Sequence, residues 1–303
     1  MKAQKIVVLG GTGFVGRHLI NLAVARKHAV RALARTPQSS IPGVEWVEGA
    51  IDPARNLEAL VEGADAIIHV AGAINAADRA GFVSCNIDGT AAVIAAAQRA
   101  GVNRLVHVST LAAREPALSD YGWSKAEAER RVEASGLEWT IIRPPAVYGP
   151  GDREMLELFK MAARGILLLP PAGRLSLIEV GDLARLLLAC ARNPGKRAIY
   201  EVDDGTVRGI PHKELARALG DAVGKRVLTL RMPRTALQAA SLLERALRRS
   251  KAKLTRDRVR YFCHPDWVAR RSMAPPARLW KPKVGYAEGM KSTAEAYRKA
   301  GWL

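Results

Sequence analysis

A glycine-rich turn near the N-terminus constrains the fold of this chain more than any other feature. The apolar, β-branched run Lys5–Leu9 is typical of a buried strand, and it leads directly into Gly10-Gly-Thr-Gly-Phe-Val-Gly16. Apolar residues then recur at helical spacing from Phe14 to Arg26. A strand, a tight turn and a helix in this order form the first half of a βαβ unit. The turn therefore predicts a parallel sheet.

The same alternation continues through the first 150 residues and then loosens. Helices are predicted at Thr90–Arg99 and from Tyr121 onward, and further strands at Ala29–Leu33, Val44–Val47, Asp65–Ala71, Arg104–Ser109 and Trp139–Arg143. We therefore predict an α/β protein with a doubly wound, parallel-sheet Rossmann domain over residues 1–150. Segments around 177–205 return to it, and 151–303 form a smaller, mostly helical substrate region. Beyond Lys225 the pattern predicts Arg-rich helical segments.

The glycine turn has the residues that a dinucleotide needs. A pyrophosphate requires backbone N–H groups at a helix N-terminus and no Cβ atom in its way. The glycines supply the tight turn, the close approach and the packing of the helix on the strand. The predicted contacts with the cofactor are Gly10, Thr12, Gly13, Phe14, Val15 and Gly16.

The residues at the end of the second predicted strand favour NADP(H) as the cofactor, although NAD(H) stays possible. NAD selection usually places an acidic residue there to accept hydrogen bonds from the ribose. This chain has Arg31-Ala-Leu-Ala-Arg35 instead. A guanidinium at Arg35 suits a 2′-phosphate, and Arg17 would add a second positive charge. The alternative is that Arg31 and Arg35 are ordinary surface residues.

A tyrosine, a lysine and a serine form the candidate catalytic set. Tyr121 and Lys125 are separated by four positions, which places them on one face of a helix. We expect the Lys125 ammonium to lower the pKa of the Tyr121 phenol from its usual value of about 10. Ser109 follows a predicted strand, at the sheet edge where such folds bind ligands. Its hydroxyl would hold the substrate oxygen while Tyr121 exchanges the proton. The alternative is an exposed helix start capped by Ser119 or Asp120.

Together these motifs resemble the short-chain dehydrogenase/reductase superfamily, and most closely its extended or atypical branch. That branch includes nucleotide-sugar epimerases and 3β-hydroxysteroid dehydrogenase-like enzymes. Besides the turn and the catalytic set, the matching stretches are His69–Gly72, Asn86 with Gly89-Thr90, Arg143–Asp152, Ser176–Asp182 and Tyr200–Gly205.

The resemblance implies further contacts with the cofactor. Ile51 and Asp52 would border the adenine, and Ala71 and Gly72 would line the cofactor. In addition, Pro144 and Val147 would lie against the nicotinamide, and Lys125 would bind its ribose.

One position departs from the nucleotide-sugar members. They usually carry an Arg-Asp pair where this chain has Leu175 and Ser176. Loss of that arginine removes a partner for a diphosphate, unless Arg174 replaces it.

Positive charge is concentrated in the second half. The first 150 residues carry 16 basic and 14 acidic side chains, and the remainder carry 31 and 15. Residues 225–283 alone hold 17 basic and three acidic side chains. The amphipathic, basic stretch Thr235–Leu254 suits an anionic membrane surface, whereas a solvated face or a helix packed on its own domain is the alternative. Nucleic acid ranks last, because no binding module or aromatic platform is present.

The sequence thus predicts an NADP(H)-dependent oxidoreductase that interconverts a hydroxyl and a carbonyl on a small substrate, with lipophilic compounds among the candidates. The alternatives are a nucleotide-sugar epimerase or dehydratase with bound NAD, and a non-catalytic NADP-binding scaffold or assembly protein. The three cysteines do not combine with the six histidines into a metal-ligand spacing, so no metal is expected. We expect a cytoplasmic location, peripheral to a membrane if the basic region docks there. The oligomeric state stays open.

Overall fold

The computed structural model describes residues 3–51, 54–193, 197–248 and 255–303. They form two compact units, each assembled from separated parts of the chain. The first unit comprises Met1–Arg143, Leu183–Glu201 and Met273–Trp280, and the second comprises Pro144–Asp182, Val202–Ser272 and Lys281–Leu303.

A seven-stranded, all-parallel sheet organises the first unit. From one edge to the other its strands are Ala198–Glu201, Glu138–Arg143, Arg104–Val108, Ala66–His69, Lys5–Leu9, Ala29–Ala34 and Val44–Glu48. Every residue of the three central strands except Lys5 is buried, as expected when both faces of a sheet are covered. The predicted doubly wound Rossmann fold is confirmed.

Helices and short segments complete this unit. The helices are Phe14–Ala25, Leu57–Val61, Arg79–Phe82, Gly89–Arg99 and Asp120–Glu133. A π-helix, Val83–Asp88, and a 3₁₀ helix, Leu111–Arg114, lie between them, and the two-residue strands Ala50–Ile51 and Ala54–Arg55 form a hairpin. Helix Val180–Arg192 leads into the last strand of the sheet, and a 3₁₀ turn spans Arg271–Met273.

Helices and small two- or three-stranded sheets make up the second unit. Its helices are Leu156–Ala163, His212–Val223, Arg234–Arg248, Arg256–Phe262 and Tyr286–Lys299. Its strands are Ala146–Tyr148, Ile166–Leu169, Arg174–Leu175, Leu177–Glu179, Ile210–Pro211, Leu228–Arg231 and Asp266–Trp267. A core around Tyr148, Phe159 and Tyr297 holds them together.

One predicted helical region contains a strand instead. Leu228–Arg231 pairs in parallel with Ile166–Leu169, and the preceding helix ends at Gly224, whose φ of +74° stops it. The predicted helix Thr235–Leu254 is described as Arg234–Arg248, and residues 249–254 lie outside the described part of the chain.

The helical stretch Arg79–Arg99 is long and apolar enough to cross a membrane, by length and composition alone. Here Val93, Ile94, Ala96 and Ala97 belong to the core of the first unit.

Candidate active site

The glycine turn lies at the sheet edge where the central strands end. The backbone N–H of Ala71 donates to the Leu9 carbonyl, so the segment after the neighbouring strand borders the turn. A Cβ added to Gly10 would lie 2.7 Å from the Ala71 nitrogen, and one added to Gly16 would lie 2.0 Å from the Gly10 oxygen. These two positions therefore need glycine for close packing. By contrast, Gly13 is exposed and has only the Gly10 oxygen near its open side, at 3.3 Å.

The helix that follows has an uncapped N-terminus. It begins at Phe14, and its N-cap residue is Gly13, which has no side chain to accept a hydrogen bond. Thr12, Phe14 and Val15 are partly buried, and Phe14 packs edge-on against His18. The first N–H groups of this helix are thus available to an anion.

The two arginines at the second strand have different surroundings. Arg31 forms an ion pair with Glu45 at 2.9 Å and donates to the carbonyl oxygens of Ala59, Leu60 and Glu62. Arg31 is therefore a structural residue. Arg35 directly follows the strand and is exposed, as is Arg17. Within the described part of the chain, neither of these two has an ion pair.

Contacts of Tyr121 and Lys125 converge on the segment that contains Ser109. Lys125 Nζ donates to the Val108 carbonyl at 2.8 Å, and the Thr110 hydroxyl is hydrogen-bonded to the Tyr121 phenol. Ser109 lies between these two contacts, and its buried Oγ has no hydrogen-bond partner among the described residues. Helix Asp120–Glu133 begins with Ser119 as its cap, which accepts from the Gly122 N–H. The predicted triad is thus brought to one strand end.

The pKa of Tyr121 is shifted in the direction opposite to the expected one, and Lys125 is not among the groups that shift it. Burial raises the pKa of the Tyr121 phenol, and the opposing influence comes from the Thr110 hydroxyl. Helical spacing does bring the two residues to one face, but the Lys125 ammonium is held at the Val108 carbonyl. Burial also lowers the pKa of Lys125, to about 8, although Glu129 opposes this shift.

Gly72 and Asn86 adjoin the lysine. A Cβ on Gly72 would lie 3.1 Å from Asn86 Oδ1 and 3.6 Å from Lys125 Nζ. Asn86 lies on the π-helix, where it accepts from the Ala73 N–H at 2.7 Å and donates to the Ser124 hydroxyl at 2.9 Å. It thereby fixes the loop after Gly72 to the helix of Tyr121.

The remaining predicted contacts are distributed as follows. Ile51 is buried against Gly89 at the start of its helix, and Asp52 lies outside the described residues. Pro144 and Val147 belong to the second unit, where Val147 pairs with Ile178.

Two features of this site were not predicted from the sequence. Thr110 was overlooked, although a second hydroxyl directly after Ser109 was a signal for it. The second feature is a buried pair, His69 and His107, on adjacent strands with ring centroids 5.2 Å apart. His69 is hydrogen-bonded to Thr90 through Nε2, while both ring nitrogens of His107 lack a partner among the described residues. Burial, with a contribution from Lys125, lowers the pKa of both, that of His69 to about 3.

In the second unit, Arg174 does not stand ready for a diphosphate. Its guanidinium donates to the carbonyl oxygens of Arg208 and Gly209, at 2.8 and 2.9 Å. The neighbouring Ser176 donates to Asp203 and accepts from the Ala269 N–H. Both side chains serve local structure.

These observations fit a nicotinamide dinucleotide. The turn has no side chains where a pyrophosphate would approach, the helix N-terminus is uncapped, and Ser109 carries an unpartnered buried hydroxyl. The glycine turn would hold the pyrophosphate, and Gly72 with Lys125 would border the nicotinamide half.

Comparisons with known proteins agree with this fit. A family model described as NAD(P)H-binding matches residues 10–194. Ceramide reductase of Caulobacter vibrioides is 37% identical, over 98% of this chain and 96% of its own length. 2-Alkyl-3-oxoalkanoate reductase of Stenotrophomonas maltophilia is 33% identical, over 95% of this chain and 98% of its own.

A solved structure extends the likeness to the whole fold. MoeE5 in complex with UDP-glucose and NAD has a TM-score of 0.77 and covers 98% of this chain and 99% of its own. Its sequence is 20% identical, so this match concerns the fold. The family match and the full-length relatives give the identity. The chain belongs to the short-chain dehydrogenase/reductase superfamily, in its extended branch, and is an NAD(P)-dependent oxidoreductase.

Proposed function

We propose that this enzyme uses NADPH to reduce a keto group on a long-chain lipid. Ser109 carries the proposal, because its buried hydroxyl has no partner among the described residues and is flanked by the contacts of Tyr121 and Lys125. Two relatives that match nearly the whole chain are named ceramide reductase and 2-alkyl-3-oxoalkanoate reductase. A ceramide is a lipid, and a 3-oxoalkanoate carries a keto group on an alkyl chain.

In this mechanism the chain supplies the proton and the orientation. Ser109 donates a hydrogen bond to the keto oxygen, and Tyr121 transfers its phenolic proton to that oxygen as the alcohol forms. When bound, the nicotinamide supplies the hydride that reduces the carbonyl carbon. The Tyr121 phenol is protonated near neutral pH, because the ordinary pKa of a phenol is about 10 and burial raises it further, so the proton is available to the keto oxygen. The Thr110 hydroxyl, which lowers the pKa of Tyr121, would stabilise the phenolate that remains.

The cofactor preference rests on charge. Arg35 and Arg17 are exposed and without ion pairs in the described chain, whereas Arg31 is engaged by Glu45. A guanidinium at Arg35 would bind a 2′-phosphate and cannot accept a hydrogen bond from a ribose hydroxyl.

Nucleotide-sugar epimerisation is the less favoured activity. The engagement of Arg174 by backbone carbonyls removes a cation that a sugar diphosphate would need. The likeness to MoeE5 concerns the fold and does not restore that cation.

The decisive experiment follows NADPH oxidation with long-chain 3-oxo lipids. We expect Tyr121→Phe to lower kcat at least ~10²-fold, as is typical when general acid catalysis is removed, with unchanged NADPH affinity. The matched control is Tyr286→Phe, which also removes a tyrosine hydroxyl. This hydroxyl lies in the second unit and donates a hydrogen bond to Glu214. An unaltered rate in Tyr121→Phe would refute the mechanism. Turnover of UDP-sugars with retained NAD, without lipid reduction, would establish the epimerase instead.

A further inference from the structure

A small sheet in the second unit exposes an aliphatic face. Ile166–Leu169 and Leu228–Arg231 pair in parallel, with Ile166 opposite Leu228 and Leu168 opposite Leu230. All four of these side chains are 45–61% exposed, whereas the alternating Leu167 and Leu169 are buried. The sheet therefore covers the core with one face and presents aliphatic carbon to the solvent with the other.

The helix that follows this sheet also exposes an aliphatic face to the solvent. Along Arg234–Arg248, Ser241 is 2% exposed, whereas Leu242, Leu243 and Leu247 are 49%, 63% and 76% exposed. Leu243 and Leu247 are one helical turn apart, and exposed Ala239 lies one turn before Leu242 and Leu243. A helix that buries a serine and exposes three leucines has an apolar face that no described residue of its own unit covers.

Positive charge borders both apolar surfaces. Arg164 precedes the first strand of the small sheet, Lys225 and Arg226 precede the second, Arg231 ends it, and Arg234 is the first residue of the helix; all five are exposed. From residue 222 to residue 243 the sequence has no acidic residue. Aliphatic side chains beside unopposed cations match the interface of an anionic bilayer, where acyl chains lie beneath phosphate groups.

We propose that Ile166, Leu168, Leu228, Leu230, Leu242, Leu243 and Leu247 form a docking face that inserts into an anionic membrane surface. The five exposed cations contact the lipid phosphates. A second copy of this chain is disfavoured, because it would bring like charges together. Nucleic acid is disfavoured because this face has no aromatic side chain for stacking on bases. The proposal is independent of the substrate, since it rests on the second unit alone.

Vesicle co-sedimentation of the full chain tests the docking face. We expect binding to vesicles that contain phosphatidylglycerol, weak binding to phosphatidylcholine alone, and loss of binding as salt is raised. Leu242→Gln combined with Leu243→Gln should weaken binding at least ~10-fold, because two aliphatic side chains no longer leave water. Leu228→Thr with Leu230→Thr, which suits a strand, should weaken it similarly. The control is Val207→Gln, which replaces an apolar side chain that is 63% exposed in the same unit and does not belong to the docking face; this variant should bind as the wild type does.

Each opposite outcome overturns the proposal. Undiminished vesicle binding by both leucine pairs, together with unchanged NADPH affinity as proof of folding, would exclude the apolar contact. Equal binding to neutral and anionic vesicles would exclude the contact between the five cations and the lipid phosphates. A concentration-dependent dimer in light scattering that both leucine pairs abolish would instead assign the face to self-association.

Discussion

Two groups of basic residues, one at the parallel sheet of the first unit and one beside the small sheet of the second, have opposite surroundings. In the first unit, Arg104 donates to the Cys190 and Glu138 carbonyls and to Thr140, while Arg143 is paired with Glu129 at 2.8 Å. In the second unit, Lys225 and Arg226 are exposed and lie in a stretch without acidic residues. The same type of charge stabilises the sheet in one region and faces outward in the other. Of the net charge of +18, +12 belongs to the residues of the second unit and +6 to those of the first.

Removing one carboxylate from each unit should give the largest difference between them. Glu129 is 3% exposed, so Glu129→Ala leaves the partly buried Arg143 guanidinium with the longer contact to Glu201, at 3.8 Å, as its one ion pair among the described residues. We expect a loss of about 3–5 kcal/mol, the usual cost of breaking a buried ion pair. Asp257→Ala breaks a solvent-accessible pair with Arg260 in the second unit and should cost ~1 kcal/mol or less. Urea unfolding of the two variants measures both; equal losses would contradict the comparison.

The first unit was largely predictable because its pattern is local. Its sheet strands and main helices follow from apolar runs and periodicity, and a buried parallel sheet imposes that pattern on the sequence. The strand Leu228–Arg231 was not predictable, since its partner Ile166–Leu169 is distant in the chain and its exposed leucines imitate a buried pattern.

The sequence identified which residues form the candidate site, but it did not predict the contacts of their charged groups. Spacing identified Ser109, Tyr121 and Lys125, but the direction of the Lys125 ammonium depends on the Val108 carbonyl, which only the folded sheet positions. Likewise, Arg31 and Arg35 look equivalent in the sequence. Only the tertiary contacts of Arg31 with Glu45 and three carbonyls separate them.

The buried His69 should make the stability of the first unit depend on pH in the acid range. Burial beside His107 and Lys125 lowers the pKa of His69 to about 3, from 6.5 in the unfolded chain. The unfolded state then binds more protons between these values, so stability is complete above pH 6.5 and falls as the pH drops toward 3. At pH 5 the wild type should have lost about 2 kcal/mol more than His69→Gln, whose amide can still bond Thr90.

The control for this effect is in the second unit. Burial also lowers the pKa of His212, but its hydrogen bond to the Pro171 carbonyl opposes the shift. His212→Gln should therefore change the acid dependence less than His69→Gln does. Urea titrations at pH 7 and pH 5 compare the three proteins, and an identical pH dependence of wild type and His69→Gln would contradict the assignment.

The smallest expected effect concerns two exposed arginines, Arg35 of the first unit and Arg226 of the second, which we expect to bind different anions. If Arg35 selects the cofactor, Arg35→Ala should weaken NADPH binding ~10-fold, about 1.4 kcal/mol, and leave NADH binding unchanged, because only NADPH carries the 2′-phosphate. Arg226→Ala should leave both nicotinamide affinities unchanged and weaken binding to anionic vesicles instead. Nicotinamide fluorescence titrations and vesicle sedimentation of both variants complete the test. Crossed effects, in which Arg226→Ala lowers NADPH affinity or Arg35→Ala lowers vesicle binding, would mean that the charges act through the overall field. If Arg35→Ala lowers only NADPH affinity and Arg226→Ala lowers only vesicle binding, the first unit binds a ribose phosphate and the second binds a lipid headgroup.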